Sequence, residues 1–376
     1  MSPLSHNFST VHAAFLSPAP GPFSSPRTSP AGVCLGHCGH LTKTLNSRAC
    51  AGTWPDRDVA VEFATRCSEW LCKHEGSADV QRAACNALRF VCASLSHNRE
   101  ARQAAVPAVG AVACRSVIAA LRTHAVHADV QTAGCGALRE FAFGCVPNKL
   151  LAGERGALET ALLALKLNRG SAAVQEQARR PRAAGLRSAP YRRAWGAIWR
   201  LTWCHGPTAP RSHGPIPRLQ ACLVLWNCCA NCPENKRRAA AAPGVADMLL
   251  AAMRAFPSEA PVQEAACGAL ATLAMDPEFA AAAGAAGAVQ AVTATLRGSL
   301  ASKEVADAAC RALAALLADT PANAQRAVAE QAAKVLQQAR AAHKAREGVM
   351  ASTEVALQAI GASPGSSPAR ALGTPS

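Results

Sequence analysis

Apolar residues recur along most of the chain with the spacing of one face of a helix. In the stretch that begins at Val80, the apolar positions Val80, Ala84, Leu88 and Val91 are three or four residues apart. This spacing places one buried stripe along a helix and leaves the opposite face free. The pattern predicts an amphipathic α-helix here, and it returns further along the chain.

The helical pattern is carried by a short phrase that occurs in several copies. The copies read VQRAACNAL, VQTAGCGAL, VQEAACGAL and VADAACRAL, and they begin at Val80, Val130, Val262 and Val305. Fainter copies begin at Val174 and Val349, so successive starts lie 43 to 50 residues apart except for one gap of 88. A period of this length is typical of helical solenoids, in which each repeat buries its apolar face against its neighbours.

An asparagine marks the same phase. It stands ten residues after the leucine of the phrase at Asn98, Asn148, Asn235 and Asn323, and the repeat of Leu270 lacks it. Between the asparagine and the next Val-Gln phrase lie a small-residue turn and a second apolar-periodic helix. The composition agrees with an all-α chain, because abundant Ala with one Tyr and nine Phe suits closely packed helices.

These residues resemble the armadillo repeat. The likeness is clearest in CPENKRRAAAAPGVADMLLAAMRAFPSEAPVQEAACGALATLA, from Cys232 to Ala274. The resemblance implies an all-α, right-handed superhelical solenoid of about six repeats with three helices each, over residues 58–361. It also implies that the third helices, which carry the Val-Gln phrase, line a concave groove. An irregular Ala-rich bundle is the alternative, but a bundle has no reason to repeat a phase.

The double gap indicates that a segment interrupts the third helix of one repeat. The copy VQEQA ends at Ala178, and its continuation begins at Cys222, so removing 179–221 restores the period. The segment contains six prolines and cannot continue a regular helix. We predict a disordered, basic, Pro- and Arg-rich insertion. Noncoding sequence in the translated chain and a degenerate repeat are the two alternatives.

The two ends of the chain differ from the repeats, and we predict that residues 1–57 and 362–376 are disordered. The sequence has no run of eighteen apolar residues and no signal-peptide pattern. It therefore predicts a cytoplasmic protein without a transmembrane segment, whose seventeen cysteines are mostly free thiols. A transit peptide within residues 1–55 is an alternative, with a location in an organelle or the nucleus.

The formal net charge of +15 is concentrated in two segments. Residues 179–218 hold nine Arg and residues 1–55 hold three basic residues, and neither segment contains Asp or Glu. The insertion also places tryptophans on one helical face among its arginines, at Trp195, Trp199 and Trp203. A nucleic-acid- or membrane-associated protein that acts through these two segments is therefore the alternative function. Because the repeats themselves are close to neutral, a nucleic-acid partner is disfavoured.

The cysteines do not form a clear metal or redox site. Five of them hold one phase in successive repeats, namely Cys85, Cys135, Cys222, Cys267 and Cys310. Such thiols are separated by about a helix diameter and cannot converge on one ion, so we predict that they are core residues. The CxxC pair of Cys229 and Cys232 lacks a second ligand pair, and an N-terminal cluster lacks a flanking scaffold; its members are Cys34, His37, Cys38 and His40. No catalytic motif is present, and we expect no enzyme activity, metal or cofactor.

The predicted groove lacks the Trp and Asn pairs with which importin-alpha-like armadillo proteins clamp basic peptides. It carries Arg89 and Arg139 in its N-terminal half, followed by Trp226 and Asn227. The resemblance to beta-catenin-like solenoids implies an extended partner segment with acidic and apolar side chains. We predict a non-enzymatic protein-interaction scaffold that binds through these four residues, and we expect both arginines to be exposed.

Overall fold

The computed structural model describes residues 57–95, 99–167 and 216–362. This part of the chain forms sixteen α-helices, and none of its residues belongs to a β-strand. The prediction of an all-α solenoid is confirmed. The N-terminal Cys and His cluster, the three tryptophans of the insertion and the copy VQEQA lie outside the described residues.

The helices follow one another in repeats, each of which ends in a long third helix. The first two repeats comprise α1 (Arg57–Lys73) and α2 (Ala78–Ser94), then α3 (Arg99–Thr123) and α4 (Ala128–Ala142). The third comprises α5 (Val146–Glu154), α6 (Ala157–Leu167) and α7 (Ile216–Cys229), and the fourth α8 (Pro233–Ala240), α9 (Val245–Ala255) and α10 (Ala260–Leu273). The last two comprise α11 (Pro277–Ala285), α12 (Ala288–Gly298) and α13 (Lys303–Leu317), then α14 (Pro321–Ala329), α15 (Ala332–Ala342) and α16 (Glu347–Gly361).

The third helices form the spine of the solenoid. Helices α2, α4, α7, α10, α13 and α16 pack side by side in the order of the chain. Helix α4 packs directly on α7, although residues 143–215 separate the two helices in the sequence. The stack is therefore continuous across the interrupted repeat.

The first repeat has two helices within the described residues, and the second departs from the three-helix pattern because its first two helices are fused into α3, which is 25 residues long. The other junctions turn at a residue with positive φ, such as Gly156 (+85°), Gly287 (+95°) or Gln331 (+55°). Gly156 and Gly287 each come three residues after another glycine, Gly153 or Gly284. In α3 the position three residues after Gly110 is Ala113, which stays helical. Alanine disfavours the left-handed conformation, which favours continuation of the helix here, although Gln331 adopts that conformation at the corresponding junction of the last repeat.

The glutamine of the Val-Gln phrase has a structural role. Gln81, Gln131 and Gln263 are buried, and the Nε2 atom of each donates to two carbonyl oxygens at the end of the preceding helix. The donor–acceptor distances are 2.7 to 3.0 Å. The last carbonyls of a helix have no partner within it, and a buried end needs one. Each glutamine therefore caps the C-terminal end of the helix that precedes its own helix in the chain.

The phased asparagines join each repeat to the one before it. Asn148, Asn235 and Asn323 are buried, and the Nδ2 atom of each donates to two carbonyls of the preceding repeat at 2.7 to 3.1 Å. One carbonyl belongs to the third helix and the other to the first helix, or to the corresponding part of α3. Each asparagine also lies against a glycine of the preceding repeat that has no room for a Cβ atom; these are Gly110, Gly153 and Gly284.

The repeat that lacks the asparagine also lacks the matching glycine. In α11 the position two residues after the opening proline is Phe279, where α8 has Asn235. In the preceding repeat the position of the glycine is Ala240, five residues after Asn235. Asparagine and glycine are thus lost together, which indicates that the glycine is present because the asparagine side chain needs the space.

The predicted boundary of the insertion at residue 221 differs from the structure, because α7 begins at Ile216. Residues 216–221 supply the start of the third helix that the sequence assigned to VQEQA. Pro217 does not prevent this, because the first helical turn needs no intrahelical N–H bond. Arg218 takes the place of the phased glutamine, and its guanidinium lies 5.0 Å from the centre of the Phe256 ring. A deletion that rejoins the repeat should therefore end at residue 215.

The prediction that the phased cysteines are core residues is confirmed. Each of the five has a relative exposure of 0%. Burial raises the pKa of Cys135, Cys222 and Cys310 to about 12, so these groups stay protonated near neutral pH. Cys229 and Cys232 are also buried, and the Cys229 thiol donates to the Asn235 carbonyl at 3.5 Å. Within the described ranges no group of three or more His, Cys, Asp or Glu could hold a metal ion.

Helix α3 is long and apolar enough to cross a membrane, and the pair α11 and α12, bent by 76°, passes the same test. The apolar window of α3 is 61% buried within the fold. A buried core helix has the same length and composition as a membrane span, and α3 packs against α1 and α4. We therefore assign no span to these helices.

Replacing Gly284 with Ala should destabilise the solenoid by about 1–3 kcal/mol, because the new Cβ would clash with Asn323 and overpack the junction. Gly298→Ala is the matched control, since no atom lies within 4 Å of its added Cβ. It should leave stability unchanged or raise it by up to about 1 kcal/mol. Urea unfolding of both variants checks the prediction, and equal effects would contradict the role of the asparagine–glycine junction.

Native thiol labelling should separate the cysteines by burial. The phased cysteines should react only after denaturation, because buried protonated thiols are poor nucleophiles. Exposed Cys72 should react at once, as the sequence also predicts for Cys34, Cys38 and Cys50. Peptide mass mapping after a short reaction identifies each site, and a Cys72→Ser variant controls for the exposed signal. Rapid native labelling of Cys135 or Cys267 would show that the stripe faces solvent.

Candidate partner-binding face

The residues one, four and five positions after each phased cysteine form what we call the third-helix face. In α2, α7 and α13 all of these residues are half-buried, whereas the stripe that carries the cysteines is fully buried. In α4 all three are buried. The predicted groove residues Arg89, Arg139, Trp226 and Asn227 all belong to this face.

Arg139 is buried, so the expectation that both arginines are exposed is wrong for this residue. Its relative exposure is 6%, and that of the neighbouring Glu140 is 2%. Its Nη2 atom lies 2.6 Å from Oε1 of Glu140, and its Nη1 atom donates to Oε1 of Gln220 at 3.1 Å. The arginine therefore joins α4 to α7, and this contact is possible because α7 begins before Gln220.

Arg89 is half-buried and lies across the next repeat. A Cβ atom at Gly136 would come within 2.6 Å of Cδ of Arg89, so the absence of a side chain at Gly136 makes room for the arginine. Burial, and secondarily the charge of Arg139, lowers the pKa of Arg89 to about 10, while Glu140 acts in the opposite direction. The charge of Arg89 is consequently held in an environment that disfavours it.

Trp226 repeats this arrangement further along the stack. A Cβ atom at Gly268 would come within 2.5 Å of the Trp226 ring, so the ring lies over the glycine of the next repeat. The guanidinium of Arg311 lies 5.5 Å from the ring centre, within the range of a cation–π contact. Arg311 also lies 3.3 Å from Asp307. Trp226 is thus a half-buried aromatic surface with a cation beside it.

Asn227 is half-buried, and its Nδ2 atom donates to the Leu223 carbonyl of its own helix at 2.9 Å. The side chain therefore uses a donor within α7. Its amide oxygen and the second N–H of Nδ2 are the groups that it can offer to a partner.

Side-chain size alternates at three of the four junctions between α2 and α13 along this face, and the exception is Arg139 followed by Leu223. Large Arg89 and Trp226, four positions after their cysteines, are followed in the next repeat by Gly136 and Gly268, one position after theirs. Small Ala271 is followed by large Arg311. The sequence analysis recorded only that the Trp and Asn clamp pairs are missing from the groove. The alternation was the signal that could have shown which side chains lie flat across a neighbouring repeat.

Acidic residues lie on the C-terminal half of the stack, and sequence reasoning did not identify them. Glu264 on α10 is half-buried, and burial, followed by the charge of Glu304, raises its pKa. Glu304 lies 3.7 Å from Lys303 and 3.9 Å from Arg346, and Asp307 pairs with Arg311. The third helices of repeats four and five therefore carry three carboxylates and two cations, and those of repeats one to three also carry both signs, with Asp79, Asp129 and Glu140 beside their arginines.

The fold is similar to that of known structures. Two engineered proteins solved by a structural genomics consortium each align with a TM-score of 0.54 and 18% identity over 79% of this chain, covering 96% and 98% of their own chains. A structure described in connection with a phosphorylation switch in the interaction between cadherin and beta-catenin aligns with a TM-score of 0.41 and 13% identity, over 94% of this chain and 60% of that chain. No protein-family model and no curated protein matches the chain. The likeness to the engineered proteins shows the fold alone.

Replacing Arg139 with Glu should destabilise the protein by about 3–5 kcal/mol, because it removes the guanidinium that pairs with Glu140 and places a second buried carboxylate beside it. The control is Arg237→Glu on α8, which reverses the same charge at an exposed position and should cost within about 0.5 kcal/mol. Thermal unfolding followed by circular dichroism measures both. Equal melting temperatures would show that Arg139 is a surface residue after all.

Proposed function

We propose that this chain is a non-enzymatic scaffold of armadillo-like repeats that binds an extended segment of another protein along the third-helix face. The observation that carries the proposal is Trp226, a half-buried aromatic ring on the third of six stacked third helices, with the Arg311 guanidinium 5.5 Å from its centre. Trp and Arg are the residues most enriched among those that dominate binding energy at protein interfaces. The armadillo resemblance of the repeats supports the same function.

An extended segment fits the geometry of a helix stack. Packed helices lie about 8–10 Å apart, and an extended chain advances about 3.3 Å per residue, so about three partner residues pass each repeat. Side chains of the partner would then meet Arg89, Trp226 and Arg311 in turn. The partner chemistry that suits this order is an acidic position over the first repeats and an apolar position at Trp226.

Binding, not catalysis, suits the groups on this face. Its charged groups are engaged in ion pairs or lie flat against neighbouring repeats, and in the described ranges no cluster could hold a metal ion. The described cysteines are all free thiols. We propose a cytoplasmic location, because a thiol-rich chain is suited to a reducing compartment.

The test measures peptide binding to the full chain. Peptides are selected on the purified protein from a displayed random library, and their affinities are then measured by fluorescence anisotropy. Trp226→Ala and Arg311→Glu should each weaken the selected peptides by about tenfold or more, because they remove an aromatic anchor and its cation. Arg237→Glu, at an exposed position on a first helix, should change affinity by less than about twofold.

A selection that yields no binding peptide would count against the scaffold function. So would peptides that bind wild type and the Trp226→Ala and Arg311→Glu variants equally. Binding of single-stranded oligonucleotide would instead favour the nucleic-acid alternative. Its log affinity should fall with log salt at a slope of about −0.7 per phosphate neutralised, and binding should be lost when residues 179–215 are deleted.

A further inference from the structure

Cations from the first helices reach the C-terminal ends of the third helices of their own repeats. The Nη2 atom of Arg102, in the N-terminal part of α3, donates to the carbonyls of Glu140 and Phe143 at the end of α4, at 2.9 Å each. Lys149 on α5 donates in the same way to the Ala230 carbonyl at the end of α7. A cation is favourable at this end of a helix, where the last carbonyls lack intrahelical partners.

The corresponding bridge in the fourth repeat ends on a sulfur atom. Lys236 on α8 takes the position of Lys149, directly after the phased asparagine, and its Nζ atom lies 3.2 Å from Sδ of Met275. Met275 takes the position of Ala230, since each lies five residues after the phased leucine of its third helix. A thioether is a weak acceptor, so this ammonium contacts a poorer partner than its counterpart in the third repeat.

Met275 is the most exposed of the described methionines. Its relative exposure is 67%, whereas that of Met253 is 3%, and Met248 and Met350 are half-buried. The backbone that carries Met275 is fixed by the next residue, Asp276, whose side chain N-caps α11. The thioether is therefore held beside the lysine and is accessible to a small oxidant such as hydrogen peroxide.

We propose that Met275 is a peroxide-sensitive modification site, at which oxidation to the sulfoxide completes the bridge from Lys236. The sulfur takes one oxygen atom from hydrogen peroxide, which is reduced to water, and no other bond of the protein changes. The product is polar, and its oxygen is an acceptor within reach of an ammonium that already contacts the sulfur. The fourth repeat then has the oxygen acceptor that the Ala230 carbonyl provides in the third. This inference does not rest on the proposed function.

The surroundings of Met275 decide the sign of the effect. Oxidation of a methionine disrupts a core because it places a polar group among apolar side chains. Met275 lies at the surface beside a cation, so the same reaction adds an interaction here. We expect oxidation to tie α8 more firmly to the end of α10, and reduction by a methionine sulfoxide reductase to reverse the change.

The first test is a short exposure of the full chain to hydrogen peroxide, followed by peptide mass mapping. Met275 should be oxidised first, Met248 and Met350 at least about threefold more slowly, and Met253 only after denaturation, in the order of their exposure. Oxidation of Met248 or Met350 as fast as Met275 would overturn the selectivity of the site.

The second test measures the bridge through the reaction of Lys236 with an amine-acylating reagent. A hydrogen-bonded ammonium is a poorer nucleophile than a free amine, so acylation of Lys236 should slow by about threefold after oxidation of Met275. Exposed Lys334 on α15 is the internal control and should react at an unchanged rate. Treatment with a sulfoxide reductase should restore the original rate at Lys236.

Two variants separate the new acceptor from other effects of peroxide. Met275→Gln places an amide oxygen near the position of the sulfoxide oxygen, whereas Met275→Leu has no acceptor. Without peroxide, Met275→Gln should slow acylation of Lys236 and raise the melting temperature by about 1–3 °C relative to Met275→Leu. Both variants change an exposed residue, and circular dichroism checks that they are folded.

Three further results would overturn the proposal. They are equal acylation of Lys236 before and after oxidation, an equal slowing at Lys236 and Lys334, and identical behaviour of the Met275→Gln and Met275→Leu variants. None of these results bears on peptide binding by the third-helix face, so failure of this proposal and failure of the scaffold function are distinguishable.

Discussion

The solenoid depends on how it satisfies the backbone carbonyl groups that lie buried at the ends of its helices. Short helices stacked in a row bury many such ends, and each needs a donor. The phased glutamines and asparagines provide these donors with one side chain per helix end. Lys149 adds another, since its Nζ atom donates to the Ala230 carbonyl at the end of α7. Because the asparagine side chain lies against a glycine backbone, these contacts also bring the repeats close together.

Close stacking determines the character of the third-helix face. Because the repeats are close together, long side chains of one repeat extend over the next. Arg89 and Trp226 lie over Gly136 and Gly268 of the next repeat. The same closeness buries Arg139 with Glu140 and Gln220. The face therefore presents flat, partly buried aromatic and cationic surfaces, which lose little conformational freedom when a partner binds. Its preorganisation comes from the contacts that hold the repeats together.

Much of the fold could be predicted from the sequence, because the repeat phase is carried by buried residues. The cysteine, leucine and Val-Gln positions each had one structural role in several copies, and the structure confirms that the cysteines are in the core. The candidate site was less predictable. Arg139 was expected at the surface because helical periodicity describes one helix, whereas its burial comes from Gln220 on the next. Gln220 itself was assigned to the insertion, because Pro217 was read as a helix breaker and not as a first-turn proline.

The direct packing of α4 on α7 is the central claim, because it makes the third-helix face one surface across residues 168–215. Its most direct test is to place a specific protease site between residues 179 and 215, cleave the native protein, and measure the mass of the product in solution. If α4 packs on α7, the two fragments should stay associated one to one and unfold in a single transition. Fragments that separate under native conditions would contradict the continuous stack.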